Sequence, residues 1–167
     1  MRARTLAAVM ATLTILLTGG CGGVSDKTYS ELEQQRDDVL TWARELSAVA
    51  STTLATSPED ATEAYDGVEQ KGVSDKYKSY KYDVQADFVT EQQDPLNALR
   101  DELEEFSPTF SGNSLRLSHG DLTAHFQTYP NAPGAVGLVV EGPPIEIDQE
   151  DMSDWDGFVV GEPVDLQ

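Results

Sequence analysis

One thiol, two imidazoles and thirty carboxylates are the side chains with which this 167-residue sequence could do chemistry. The thiol, Cys21, has no second cysteine to join, so neither an internal disulfide nor a thiolate metal cluster can form, and the group is left as an easily alkylated nucleophile. The two histidines sit in a hairpin pattern. Leu115-Arg116-Leu117-Ser118-His119 and Leu122-Thr123-Ala124-His125-Phe126 flank Gly120-Asp121, a two-residue turn with glycine first, as a type II′ turn requires. If His119 faces Leu122, then Leu117 faces Ala124, Leu115 faces Phe126, and Arg116 faces His125 on the other side. His119 and His125 then lie on opposite faces, which suits neither a shared zinc ion nor a shared acid/base role.

The carboxylates concentrate at the C-terminal end. From Glu141 onward there are nine acids and no Lys or Arg, and Asp148, Glu150, Asp151, Asp154 and Asp156 surround Trp155. Calcium is the sharp hypothesis for such a run, because hard cations take carboxylate oxygens. The EF-hand template fails: with Gly157 at its obligatory glycine, Asp154 and Asp156 fit, but Met152 falls on the first ligand and Pro163 on the last. A solvated acidic tail is the expectation, with no metal and no cofactor. Trp155, Phe158, Val159 and Val160 are too apolar to be solvated throughout and should dock on the domain or on a partner, making Trp155 and Phe158 the candidate interaction patch. No nucleophile elbow, P-loop or HExxH is present, and the pairs Asp37-Asp38 and Glu104-Glu105 point to different sides of a helix. No catalytic residue is assigned and no enzyme is expected, although two acids distant in sequence could still meet in a fold.

The N-terminus gives Cys21 its context. Met1-Arg2-Ala3-Arg4 is a cationic start, Leu6 to Leu17 is apolar, and Thr18-Gly19-Gly20-Cys21 supplies small residues, the order of an export signal. A membrane-spanning helix needs roughly 20 apolar residues, more than this run contains. Leu17-Thr18-Gly19-Gly20-Cys21 resembles the lipobox of bacterial lipoprotein signal peptides, with leucine one place earlier than that family usually has it. The resemblance implies cleavage between Gly20 and Cys21, a diacylglycerol thioether on Cys21, and a cell-membrane anchor holding the domain outside the cytoplasm. An ordinary cleaved signal peptide and an uncleaved anchor are the other two readings.

Charge limits the partners. Thirty Asp and Glu oppose eleven Lys and Arg for a formal charge of −19. Arg2 and Arg4 precede Cys21 and no acid does, so the remainder carries nine basic residues against thirty acidic ones. Such a surface repels phosphate backbones, so no nucleic acid partner is expected, and membrane contact should come through the lipid anchor.

The rest of the chain reads as α+β. Gly22 to Asp26 is a flexible tether. Two Ser/Thr-to-Glu capping patterns at Thr28 and Ser30 open a long helix, whose stripe is Leu32, Val39, Ala43, Leu46, Ala50 and Leu54, widened by Trp42 and Val49. Ser57-Pro58-Glu59-Asp60 predicts a short helix to about Tyr65, and 66–76 a loop. Tyr80, Tyr82, Val84, Ala86 and Phe88 alternate with polar residues as a half-buried strand. Asp94-Pro95 starts a helix carrying Leu96, Leu99, Leu103 and Phe106. After the hairpin, Gly137 to Glu141 is a core strand, and Ile145 to Ile147 continue as an edge. The expectation is a two-layer domain, a long N-terminal helix and a second helix packed on a small, mainly antiparallel sheet of about four strands. Its organisation is a signal peptide at 1–20, a lipidated tether at 21–27, the α+β domain at 28–147 and an acidic tail at 148–167. This order of elements resembles small lipoproteins of unknown function, many from Gram-positive bacteria, without a diagnostic motif.

The expected function is therefore a lipid-anchored envelope protein with a non-enzymatic binding or interaction module, whose partner is another envelope protein. The alternative is a solute- or cation-binding lipoprotein.

Overall fold

A stripe of apolar residues at helical spacing places the first element on whatever it packs against, and the sheet that receives it is built from the most strongly alternating strands. The computed structural model describes residues 26–68 and 78–167. Helix α1 (Asp26–Leu54) buries Leu32, Val39, Ala43, Leu46, Ala50 and Leu54 as the stripe requires, together with Leu40, Trp42 and the polar Gln35 and Ser47. It ends where Ala55 takes a left-handed conformation (φ 53°) and the Thr90 hydroxyl donates to the Leu54 carbonyl, satisfying one of the orphan acceptors of the last turn.

The chain is an α+β protein with an all-antiparallel sheet of eight strands: β1 (Glu59–Gly67), β2 (Ser79–Val89), β3 (Thr109–Ser111), β4 (Ser114–His119), β5 (Leu122–Tyr129), β6 (Ala132–Glu141), β7 (Ile145–Glu146) and β8 (Val160–Pro163). Their order is β3-β4-β5-β6-β2-β1-β8, with β7 pairing β2 beyond the end of β6. Helix α2 (Pro95–Glu102) begins at Asp94, whose carboxylate accepts from the Asn97 backbone N–H, with proline at the first helical position. It buries Leu96 and Leu99 on the same core as α1.

Two expectations are corrected. The sheet has eight strands rather than about four, and the segment Glu59 to Tyr65 is not a helix but most of β1. Asp66 and Gly67, read as loop, complete that strand. Ala61, Glu63 and Tyr65 face the core in alternation, and the inward position taken by a glutamate is what hides the period of two. The remaining unforeseen strands are too short or too exposed to announce themselves: β3 has three residues and β8 four, all exposed. The tail also differs from expectation. Residues 148–167 form a five-residue helix α3 (Gln149–Ser153) and strand β8 against β1, and bury Met152 and Leu166 completely or nearly so.

The β4–β5 hairpin has the register the turn requires: His119↔Leu122, Leu117↔Ala124, Arg116↔His125 and Leu115↔Phe126. Gly120 alone of the turn pair has positive φ, at 59°, as a type II′ turn demands.

Strand β2 changes neighbours along its length. From Asp83 to Val89 it pairs with β6, and at Ser79 and Tyr80 with β7. Between them lies Gly142-Pro143-Pro144, where two prolines offer no N–H. Gln35 of α1 fills the gap: its Oε1 accepts from the Tyr82 N–H at 2.7 Å and its Nε2 donates to the Pro143 carbonyl at 2.6 Å. Gly142 makes room for it, since a Cβ there would stand 2.4 Å from the Gln35 Cδ.

Removing Gln35 strands the buried Tyr82 N–H, at a cost of about 1–3 kcal/mol, while the carbonyl of the exposed Pro143 can turn to water. Gln35→Ala and Gly142→Ala are each expected to lower the unfolding free energy by about 1–3 kcal/mol in urea titrations. The double variant should lose less than the sum, because both changes act through the same two hydrogen bonds.

Candidate functional site

The sheet has one face covered by helices and one face open, and the chemistry-bearing residues divide between them. On the covered side, α1 meets the β4–β5 turn and the β6–β7 connection along an open groove of about 890 Å³. Its floor is apolar: Trp42 from α1, Leu122 and the His119 ring from the hairpin, and Pro143 and Ile145 from beyond β6. Trp42 is 2% exposed, lies against the rings of Phe106 and His119 at 5.7 Å each, and its indole N–H finds no acceptor among the described residues.

The rim is acidic. Glu31, Gln34, Asp38, Thr41 and Glu45 recur at steps of three and four, so they form one exposed stripe on α1, and Asp121 faces them from the hairpin turn. Among the described residues Lys27 is the rim's only cation, ion-paired to Glu31 at 3.3 Å. The other two basic residues of α1 lie on the opposite flank. Arg36 makes a two-pronged contact with Glu63 at 2.6 and 3.1 Å, and Arg44 donates to the Asp165 carbonyl at 3.3 Å.

That flank is a buried polar cluster. Glu63 is 5% exposed and takes both the Arg36 guanidinium and the Tyr82 hydroxyl, while the Tyr65 hydroxyl donates to the Leu32 carbonyl. The hydrogen bond to Glu63 holds Arg36 firmly charged against the opposing cost of burial. Desolvation raises the Tyr65 and Tyr82 phenols well above their ordinary values, with the Glu63 hydrogen bond adding to the rise at Tyr82. The cluster has every mark of a structural anchor: its charges are spent on one another and none faces a cavity.

On the open face, Lys81 and Glu141 form an ion pair across β2 and β6, and the Thr123 hydroxyl donates to the other Glu141 oxygen. Burial works against the Glu141 carboxylate, but the Lys81 hydrogen bond and charge outweigh it and hold that group below the usual range. Beside them Asp83 is 3% exposed; one oxygen accepts from Gln85 at 2.8 Å and the other has no partner among the described residues. Burial pushes the Asp83 carboxyl up. Burial also lowers His125, which shares this face.

The residues singled out from sequence fall as follows. Cys21 and Gly20 lie outside the described residues. His119 and His125 are on opposite faces of the hairpin, one in the groove and one on the open face. Trp155 and Phe158 are turned onto their own domain: Trp155 stacks on Tyr29 at 5.5 Å and meets Tyr65 edge-on, and Phe158 meets Tyr80 edge-on at 6.0 Å. The Tyr29 hydroxyl donates to the Asp151 carbonyl, tying α1 to α3. Among the described residues no three His, Cys, Asp or Glu side chains are placed together to hold a metal ion, and no helix is long and apolar enough to cross a membrane. The groove was missed because its residues come from three separate parts of the chain. The acid stripe at 31, 38 and 45 was the one legible signal.

No family model matches this chain, and neither a curated protein nor a solved structure matches it.

The open face supplies a pH test. Asp83 holds its proton more tightly folded than unfolded, so its contribution to stability is full below the ordinary aspartate range, about 3.9, and is lost as pH rises through its folded value. Asp83→Asn should therefore be more stable than the parent at pH 7, with the advantage shrinking as pH falls. Urea midpoints across that range check it, and a pH-independent difference would count against it.

Proposed function

We propose that this protein is a lipid-anchored envelope component facing outside the cytoplasm, and that its domain is a non-enzymatic binding module whose recognition surface is the groove beside α1. The anchor rests on the export signal and on the lipobox-like Leu17 to Cys21. The recognition surface rests on one observation: an open groove with an apolar floor that includes Leu122, Pro143 and Ile145, rimmed mainly by acids, its Lys27 being paired to Glu31. An enclosed cavity would suit a small solute; an open one beside a helix suits a length of another chain. The Trp155 and Phe158 rings, packed against Tyr29, Tyr65 and Tyr80, serve the domain itself rather than a partner.

Two measurements test the halves of this proposal separately. The intact mass of membrane-extracted protein should correspond to a chain beginning at Cys21 with added acyl mass, and Cys21→Ala should leave the membrane fraction; a variant that still partitions with membranes sinks the anchor. A photo-crosslinking amino acid at Thr41, on the groove rim, should give a discrete protein adduct on intact cells, whereas the same group at Glu162, on the far sheet edge, should not. Failure to form any adduct at Thr41 removes the groove from the proposal.

A further inference from the structure

Resting on the reading of the groove as a binding surface, we infer that its occupant is a basic amphipathic helix of a partner protein. The floor offers apolar contact through Leu122, Pro143 and Ile145, Trp42 being 2% exposed, and this excludes a purely hydrophilic ligand as its match. The rim sets the sign. Glu31, Asp38 and Glu45 stand seven residues apart along one edge and Asp121 stands on the other, against Lys27 as the single cation among the described residues.

The basic residues of α1 other than Lys27 are sorted away from the groove, although acids stand on more than one side, Glu33 and Asp37 lying where their charge reaches Tyr65. Arg36 and Arg44 are drawn to Glu63 and the Asp165 carbonyl on the side away from the groove, leaving acids to face it. An anionic occupant, a phospholipid headgroup included, would meet four carboxylates with one paired lysine in reach. The length also fits. From Lys27 to Glu45 the groove follows α1 for about 27 Å, the length of a helix of about 18 residues. Such a helix would lay its apolar face on the floor and its Lys or Arg residues against both rims, the helix-in-groove mode of recognition.

The probe is a fluorescein-labelled synthetic peptide of about 18 residues, Leu and Lys patterned at helical spacing, with a control carrying Glu in place of every Lys. Anisotropy titrations against the purified protein are run at low salt and at about 0.15 M salt. The Lys peptide should bind, more weakly at the higher salt, and the Glu peptide should not. Asp38→Asn with Glu45→Gln should weaken binding about tenfold, while Glu59→Gln with Glu162→Gln, exposed acids at the opposite sheet edge, should leave it unchanged. These variants touch exposed side chains, so folding is not at stake. Equal loss from both pairs would mean that only overall charge attracts the peptide, and would overturn the inference. So would a Lys peptide that fails to bind or is outdone by the Glu peptide. In those cases an adduct at Thr41 would still uphold the groove as a binding surface for a different occupant, and its absence would sink both.

Discussion

On its β6 side strand β2 leaves its ladder at Tyr82, where Gly142 still donates to the carbonyl but no strand accepts from the N–H. The rest of the structure depends on how that gap is closed. β6 ends at Glu141 and β7 begins at Ile145, with two prolines between them that cannot donate. An unpaired N–H at the centre of a sheet is costly, and water does not reach this one. The side-chain amide of Gln35 stands in for a strand, accepting with its oxygen and donating with its nitrogen. Because it must reach into the sheet from the helix, α1 is fixed both in its rotation about its axis and in its position along β2. A purely apolar contact would fix neither so closely.

The second constraint follows from the first. With Gln35 inward, the next residue, Arg36, lies at the flank, and its cation is matched by Glu63, an inward residue of β1 that is nearly inaccessible. Breaking such a pair leaves a buried charge uncompensated, so neither partner can change alone. The pair and the Tyr82 hydroxyl together join α1, β1 and β2 at one point. The C-terminal segment then closes the end of the same cluster, through Trp155 on Tyr29 and Tyr65 and through β8 along β1. Its acids stay outward while Met152, Trp155, Phe158 and Leu166 turn in, which is why a run rich in carboxylates can still belong to the core.

These two constraints also explain what could be read in the sequence and what could not. Elements whose inward residues are mainly apolar were legible: the stripe of α1, where only Gln35 and Ser47 depart from it, the alternation Tyr80 to Phe88, and the hairpin register fixed by Gly120. Where an inward residue is polar because a distant partner completes it, the pattern fails. Glu63 made β1 look like a helix that a Ser-Pro-Glu-Asp start had already suggested, and only Arg36, 27 residues away, justifies it. Short edge strands fail for another reason, since β3 and β8 bury nothing and are held mainly by backbone hydrogen bonds, which any sequence can make. The groove was illegible as a site because its floor joins Trp42 to residues near 120 and near 144.

Helix α1 thus carries three kinds of work on three stripes: apolar residues inward, Arg36 and Arg44 toward β1 and the C-terminal end, and Glu31, Asp38 and Glu45 toward the groove. The division has a physical consequence. The apolar stripe and Arg36 are tied by buried or half-buried contacts, so substitutions there change stability, whereas the Arg44 contact is exposed. The third stripe is exposed, and its pairings, Lys27 with Glu31 and Gln34 with Asp38, are surface interactions worth little to the fold. Nothing in the stability of the domain requires Asp38, Glu45 or Asp121 to be acidic. Their charge costs some mutual repulsion, concentrated along a groove lined by Leu122, Pro143 and Ile145 over the buried core that holds Trp42. A surface with no structural need for its charge, beside an apolar floor that the fold holds open, is what recognition of an oppositely charged amphipathic chain would require.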